Sequence, residues 1–144
     1  MSQVNRALAI FSSGFACSQA VLAVFCERYG LDETTALRIA TGFAGGMKRA
    51  DVCGAVTGAI MVIGLKYGHV DAADRASRRL AGERVQDFMT RFTELHGAIA
   101  CRDLLQCDIT TPEGRQFAMD NKLFTTRCHD LVVTAVEILE QSGY

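Results

Sequence analysis

Fourteen consecutive uncharged residues, 52–65, run between Asp51 and Lys66. A membrane-spanning helix needs about 20 apolar residues, so this stretch is too short to span. It is long enough for a helix buried on all sides at the centre of a bundle. Gly54 and Gly58 fall four apart on one face of that helix, where missing side chains let another backbone come close. Hydrophobic residues make up 49% of the chain, Trp is absent and Pro occurs once, a composition that suits packed helices better than a turn-rich β fold.

Apolar periodicity and end signals place the other helices around this one. A first helix over 3–13 carries Val4, Leu8 and Phe11 on one face and stops at Gly14; a second, over 17–29, carries Val21, Leu22 and Phe25 and stops at Gly30. Asp32 is a natural cap for a third, which continues through Leu37 and Ile39 until "TGFAGG", and Asp51, after the glycine-containing loop, is expected to cap the central helix, ending near Tyr67. A long helix over 72–95 turns Leu80, Val85, Phe88, Met89 and Phe92 inward, its interleaved arginines and acids forming a solvated face. Thr111 with Pro112 opens a further helix, and Thr126 caps the last, over 127–141. The expectation is an all-α fold: one compact domain, residues 1–144, built as a bundle of five to six helices with a central apolar helix.

The formal net charge of -1 recruits neither nucleic acid nor an anionic membrane. The beginning of the sequence has one early Arg and a broken apolar stretch rather than the pattern of a secretory signal, so a cytoplasmic location is expected. In a reducing compartment six cysteines point to metal binding or redox exchange rather than permanent disulfides.

Four of them, Cys17, Cys53, Cys101 and Cys128, fall in or beside the first turn of an expected helix. Unpaired N–H groups and the positive end of the helix dipole favour thiolate there. Alternating helices send alternate starts to the same end of a bundle, so the four are expected to converge. Cys26 reads as a buried small hydrophobe, and Cys107 as a neighbour that could assist. His129, beside Cys128, and His96 are secondary candidates, and His69 sits just past a helix end. No nucleotide-binding glycine loop is present, since the glycine loop lacks a preceding strand and a Gly-Lys-Ser/Thr ending.

The segments around these cysteines, "CSQAVLAVFCERYG", "GFAGGMKRADVCGAVTGAIMVIGLKYG", "HGAIACRDLLQCDITTPEG" and "CHDLVVTAVEIL", together resemble the C_GCAxxG_C_C family of redox-active proteins over nearly the whole chain. The Cys-Gly-Ala-x-x-Gly core stands at residues 53–58. The resemblance implies a redox role carried by Cys17, Cys53, Cys101 and Cys128, and an electron-transfer or transporter-associated partner. Ala16 and Ala98 occupy places where polar capping residues are expected. A similar region in split-Soret cytochromes implies an iron–sulfur cluster, while the lack of Cys-x-x-Cys-His leaves no haem attachment.

Three functions follow. In the first the four cysteines hold a cluster, most simply [2Fe–2S], with Gly54 and Gly58 admitting backbone to its sulfides and Lys48 and Arg49 offsetting its charge. In the second, Cys53 attacks in thiol–disulfide exchange. In the third, the same sulfurs hold structural zinc, or the chain is a helical interaction module without catalysis. A homodimer is compatible with the apolar fraction and the small-residue helix.

Overall fold

The computed structural model describes residues 2–144 and is all-helical, with eight α-helices in that span. They are α1 (Gln3–Ser12), α2 (Cys17–Cys26), α3 (Glu33–Ala40), α4 (Gly54–Tyr67), α5 (Arg75–His96), α6 (Cys101–Leu105), α7 (Pro112–Asp120) and α8 (Arg127–Gln141). The all-α class is as expected; the count exceeds five to six because α6 and α7 are short separate helices on the way to α8.

The ends follow from local chemistry. Asp32 accepts from the Thr35 amide at 2.9 Å, Asp74 from Ser77 at 3.0 Å and the Thr111 hydroxyl from Gly114 at 2.9 Å, each satisfying an amide that the first turn leaves unpaired. Gly30 and Gly97 close their segments with left-handed φ of 85° and 83°. Two expected caps are not made. α4 begins at Gly54, and the Asp51 carbonyl instead accepts from the Cys101 amide at 2.5 Å. The Thr126 hydroxyl donates back to the Lys122 carbonyl at 2.8 Å and leaves the start of α8 without a side-chain cap.

α4 is apolar all round and central as expected, packed on α2, α5 and α8. Its Gly58 lies against α2, where an added Cβ would stand 2.8 Å from the Ser18 carbonyl oxygen and 3.1 Å from Val21 Cβ. Phe25, Leu22, Ile63, Phe92, Leu131 and Leu139 fill the space between helices, each contributing about 1.5–3 kcal/mol by leaving water. A smaller apolar cluster, Ala50, Cys101 and Leu105 with Cys107, Ile109, Leu123, Phe124 and Cys128 against it, forms beside the main core. The candidate site lies where these two clusters meet.

The glycine loop before α4 takes a form that local propensity does not suggest. Gly45, Gly46, Met47 and Lys48 have φ of 63°, 63°, 60° and 61°, and Ala50 follows at 54°. Such a left-handed run disfavours residues with a Cβ, and it is braced from outside. Arg102 donates to the Arg49 carbonyl at 2.7 Å and to that of Ala50 at 3.2 Å, while the Asp51 amide returns to the Gly46 carbonyl at 2.9 Å. The chain leaves the turn as one antiparallel bridge, Val52 against Ala100.

Candidate cysteine site

That bridge sets two of the cysteines side by side. The Cys53 amide donates to the Ile99 carbonyl at 2.8 Å and the Cys101 amide to that of Asp51, so the starts of α4 and α6 are tied together. Cys17 opens α2, where the Gln19 side chain accepts from the Ala16 amide at 2.9 Å and donates to the Leu37 carbonyl at 3.0 Å. Gln19 thus closes the helix start that Ala16 itself cannot cap. Cys128 stands in the first turn of α8; its neighbour Arg127 donates to the Leu104 carbonyl at 3.1 Å and ties α8 to α6.

All four of these cysteines line one cavity of about 510 Å³. Cys53 and Cys101 are buried, 5% and 7% exposed. Gly54 lines it too, and a Cβ there would overlap Cys17 Sγ, so the glycine lets the first two sulfurs sit together. Gly58 is not part of the lining; its close approach serves the α2–α4 contact. Cys26 lies in the main core with its thiol donating to the Ala23 carbonyl at 3.3 Å, and Cys107 packs in the second cluster behind Cys101 and Cys128 without lining the cavity.

The helix starts do not by themselves make thiolates. Burial pushes the Cys101 thiol up to about 11 and Cys128 up to about 12, with the negative charge of Cys17 adding to both. Desolvation outweighs the dipole of a short or tethered first turn. Only Cys17 goes the other way, down to about 7, because the Cys53 thiol donates a hydrogen bond to its sulfur; Cys53 is raised by that same bond and by burial. The two thiols titrate as a pair, with Cys17 shifted towards the thiolate and Cys53 away from it.

Lys48 and Arg49, expected to offset charge at the site, line a separate cleft with Asp51, Arg102 and Asp108. His129 does line the cavity, 3.4 Å from the Asp130 carboxylate. His96 faces away from it, joined to the Thr134 hydroxyl at 2.7 Å and to Arg127 at 3.1 Å. Residues to which the sequence assigned no part in the site complete the walls: Phe11, Phe15, Ile109, Arg115 and Phe124. The spacing of Arg115 and Phe124 carries no signal, because they meet only in the folded chain, where the Arg115 guanidinium lies over the Phe124 ring. Among the described residues, no three His, Cys, Asp or Glu side chains are gathered around one point to hold a single metal ion. No described helix is long and apolar enough to cross a membrane.

Residues 15–142 match the family described as "Putative redox-active protein (C_GCAxxG_C_C)". Since the match covers nearly the whole chain, the protein belongs to the C_GCAxxG_C_C family. No curated protein and no solved structure matches it.

Proposed function

We propose that this member of the family handles electrons at the cysteine cavity, with Cys17, Cys53, Cys101 and Cys128 acting together as ligands of an iron–sulfur cluster, most simply [2Fe–2S]. The observation that carries the reading is that four thiols, drawn from four separate elements, line a single cavity while the other two cysteines do not. A tetrahedral zinc site wants four sulfurs around one point, whereas a two-iron cluster divides its ligands between two centres. The four cavity cysteines are the number of thiolates that such a centre takes. Such a cluster would supply reversible one-electron transfer. The chain's own part is to keep water from the buried Cys53 and Cys101, to hold Cys17 beside Cys53 through the gap at Gly54, and to offset negative charge with Arg115 on the wall.

Anaerobic reconstitution with iron and sulfide, followed by visible absorbance and metal analysis, tests this. Two irons and two sulfides per chain, with bands lost on Cys53→Ser or Cys101→Ser, are expected of a [2Fe–2S] centre. A colourless, iron-free product after reconstitution overturns it.

One observation favours a second reading: Cys17 and Cys53 line the same cavity, with Cys17 Sγ packed against Gly54 next to Cys53, and the two thiols shift in opposite directions. That is the pattern of an attacking thiolate with a resolving partner, with Cys17 rather than Cys53 as the nucleophile. In exchange, the Cys17 thiolate would attack a small disulfide and release one thiolate. Cys53 sulfur, giving up its proton, would then displace the second thiolate and close a Cys17–Cys53 disulfide. Thiol titration against a redox buffer detects that couple; if no Cys17–Cys53 disulfide forms at any potential, this reading fails.

A further inference from the structure

The cavity is larger than four sulfurs and a small cluster require. Four heavy atoms, at about the 30 Å³ share of a liquid water each, occupy roughly 120 Å³, against about 510 Å³ available. What remains is of the size that small organic ligands take, roughly 300 Å³ or more. The lining residues grade in exposure: Cys53 and Cys101 are buried, Phe11, Ile109, Phe124 and His129 are half-buried, and Arg115 and Phe15 are exposed. No Asp or Glu lines the cavity, although the chain has 16 acidic residues. Its one arginine, Arg115, has no carboxylate within salt-bridge distance among the described residues, and its guanidinium sits 5.6 Å over the Phe124 ring. A guanidinium resting over one face of Phe124 with no carboxylate partner places a positive charge beside the apolar lining of Phe11, Phe15 and Ile109.

We propose that the outer part of the cavity binds a small organic monoanion with an apolar, preferably aromatic, body, its carboxylate on Arg115 and its body against Phe124, Phe15 and Phe11, above the cysteines. The inference rests on the cavity being the working site of the protein, and it names the class of molecule that reaches the sulfurs. Its test reads binding, not iron or disulfide, so either can fail without the other.

The probe is 2-naphthoate, with 2-naphthalenemethanol as the neutral counterpart and acetate as the anion without an apolar body. The absence of Trp leaves a quiet fluorescence background. Titrations are made on the full chain, reduced and after reconstitution. Expected is a preference of about tenfold or more for naphthoate over the alcohol, from a charge-assisted bond to Arg115, falling to near parity in Arg115→Met and partly kept in Arg115→Lys. Bound naphthoate is also expected to slow alkylation of Cys17 while leaving Cys26 unaffected. Equal binding of acid and alcohol, an undiminished preference in a folded Arg115→Met, displacement by acetate at the same concentration, or unprotected Cys17 would each overturn the proposal.

Discussion

At the scale of single residues, Gly54 and Gly58 look alike in sequence and do different work in space. A Cβ on Gly54 would overlap Cys17 Sγ, and one on Gly58 would press on the Ser18 carbonyl of α2. Both Ala variants are expected to lose about 1–3 kcal/mol in chemical denaturation, the usual cost of overpacking. Only Gly54→Ala is expected to break the Cys17–Cys53 hydrogen bond and return Cys17 towards ordinary thiol reactivity. Alkylation rates near pH 7 measure this, and equal rates in the two variants would refute it. The four cysteines and the Cys-Gly-Ala-x-x-Gly core could be read from the chain because motif and helix-start position coincide. Arg115 could not, since nothing local distinguishes an arginine over a phenylalanine ring nine residues on from one in water.

Among the elements, the turn before α4 departs most from local expectation. Met47 and Lys48 hold φ of 60° and 61°, which costs each about 1–2 kcal/mol relative to a residue without Cβ. Lys48→Gly is therefore expected to raise stability by about 0.5–1 kcal/mol after the added chain entropy of glycine is subtracted. Gly46→Ala is expected to be the most damaging substitution of the turn. Its Cβ would stand 2.5 Å from the Asp51 amide nitrogen and 2.9 Å from Cys101 Cβ, so the bridge that aligns Cys53 with Cys101 must open. Denaturation midpoints and amide exchange at Val52 and Cys101 report both effects. Propensity placed α5 and α8 to within a few residues because long periodic helices dominate their own windows. It placed the cap of α4 two residues early, at Asp51 rather than Cys53, because the acid that resembles a cap gives its carbonyl to Cys101 instead.

For the whole molecule, sulfur ionisation ties stability to pH. In the reduced, metal-free protein Cys101 and Cys128 hold their protons to about 11 and 12, against 9.0 for an ordinary thiol. Above pH 9 the unfolded chain has released protons that the folded chain keeps, so their contribution is lost as pH rises towards 11–12. Cys17, at about 7 when folded, acts in the opposite sense. Between pH 7 and 9 the unfolded chain holds a proton that folded Cys17 has released, and its contribution grows with pH across that window. Thermal unfolding from pH 6 to 11 is expected to show the high-pH decline reduced in Cys101→Ser/Cys128→Ser and the rise from pH 7 to 9 absent in Cys17→Ser. Unchanged slopes would mean that these thiols titrate alike in both states.

Helical class and the central position of residues 52–65 follow from the chain alone, since a long uncharged stretch too short for a bilayer can be hidden only inside other amphipathic helices. The four cysteines that line one cavity are also the four that stand at expected helix starts in the sequence. Which thiol carries charge was decided in three dimensions: desolvation and one sulfur–sulfur hydrogen bond override the helix starts, and both depend on which groups packing brings near. The shape of the cavity likewise arises only when segments from Phe11 to Leu131 come together, because a wall made from distant segments has no local pattern to read.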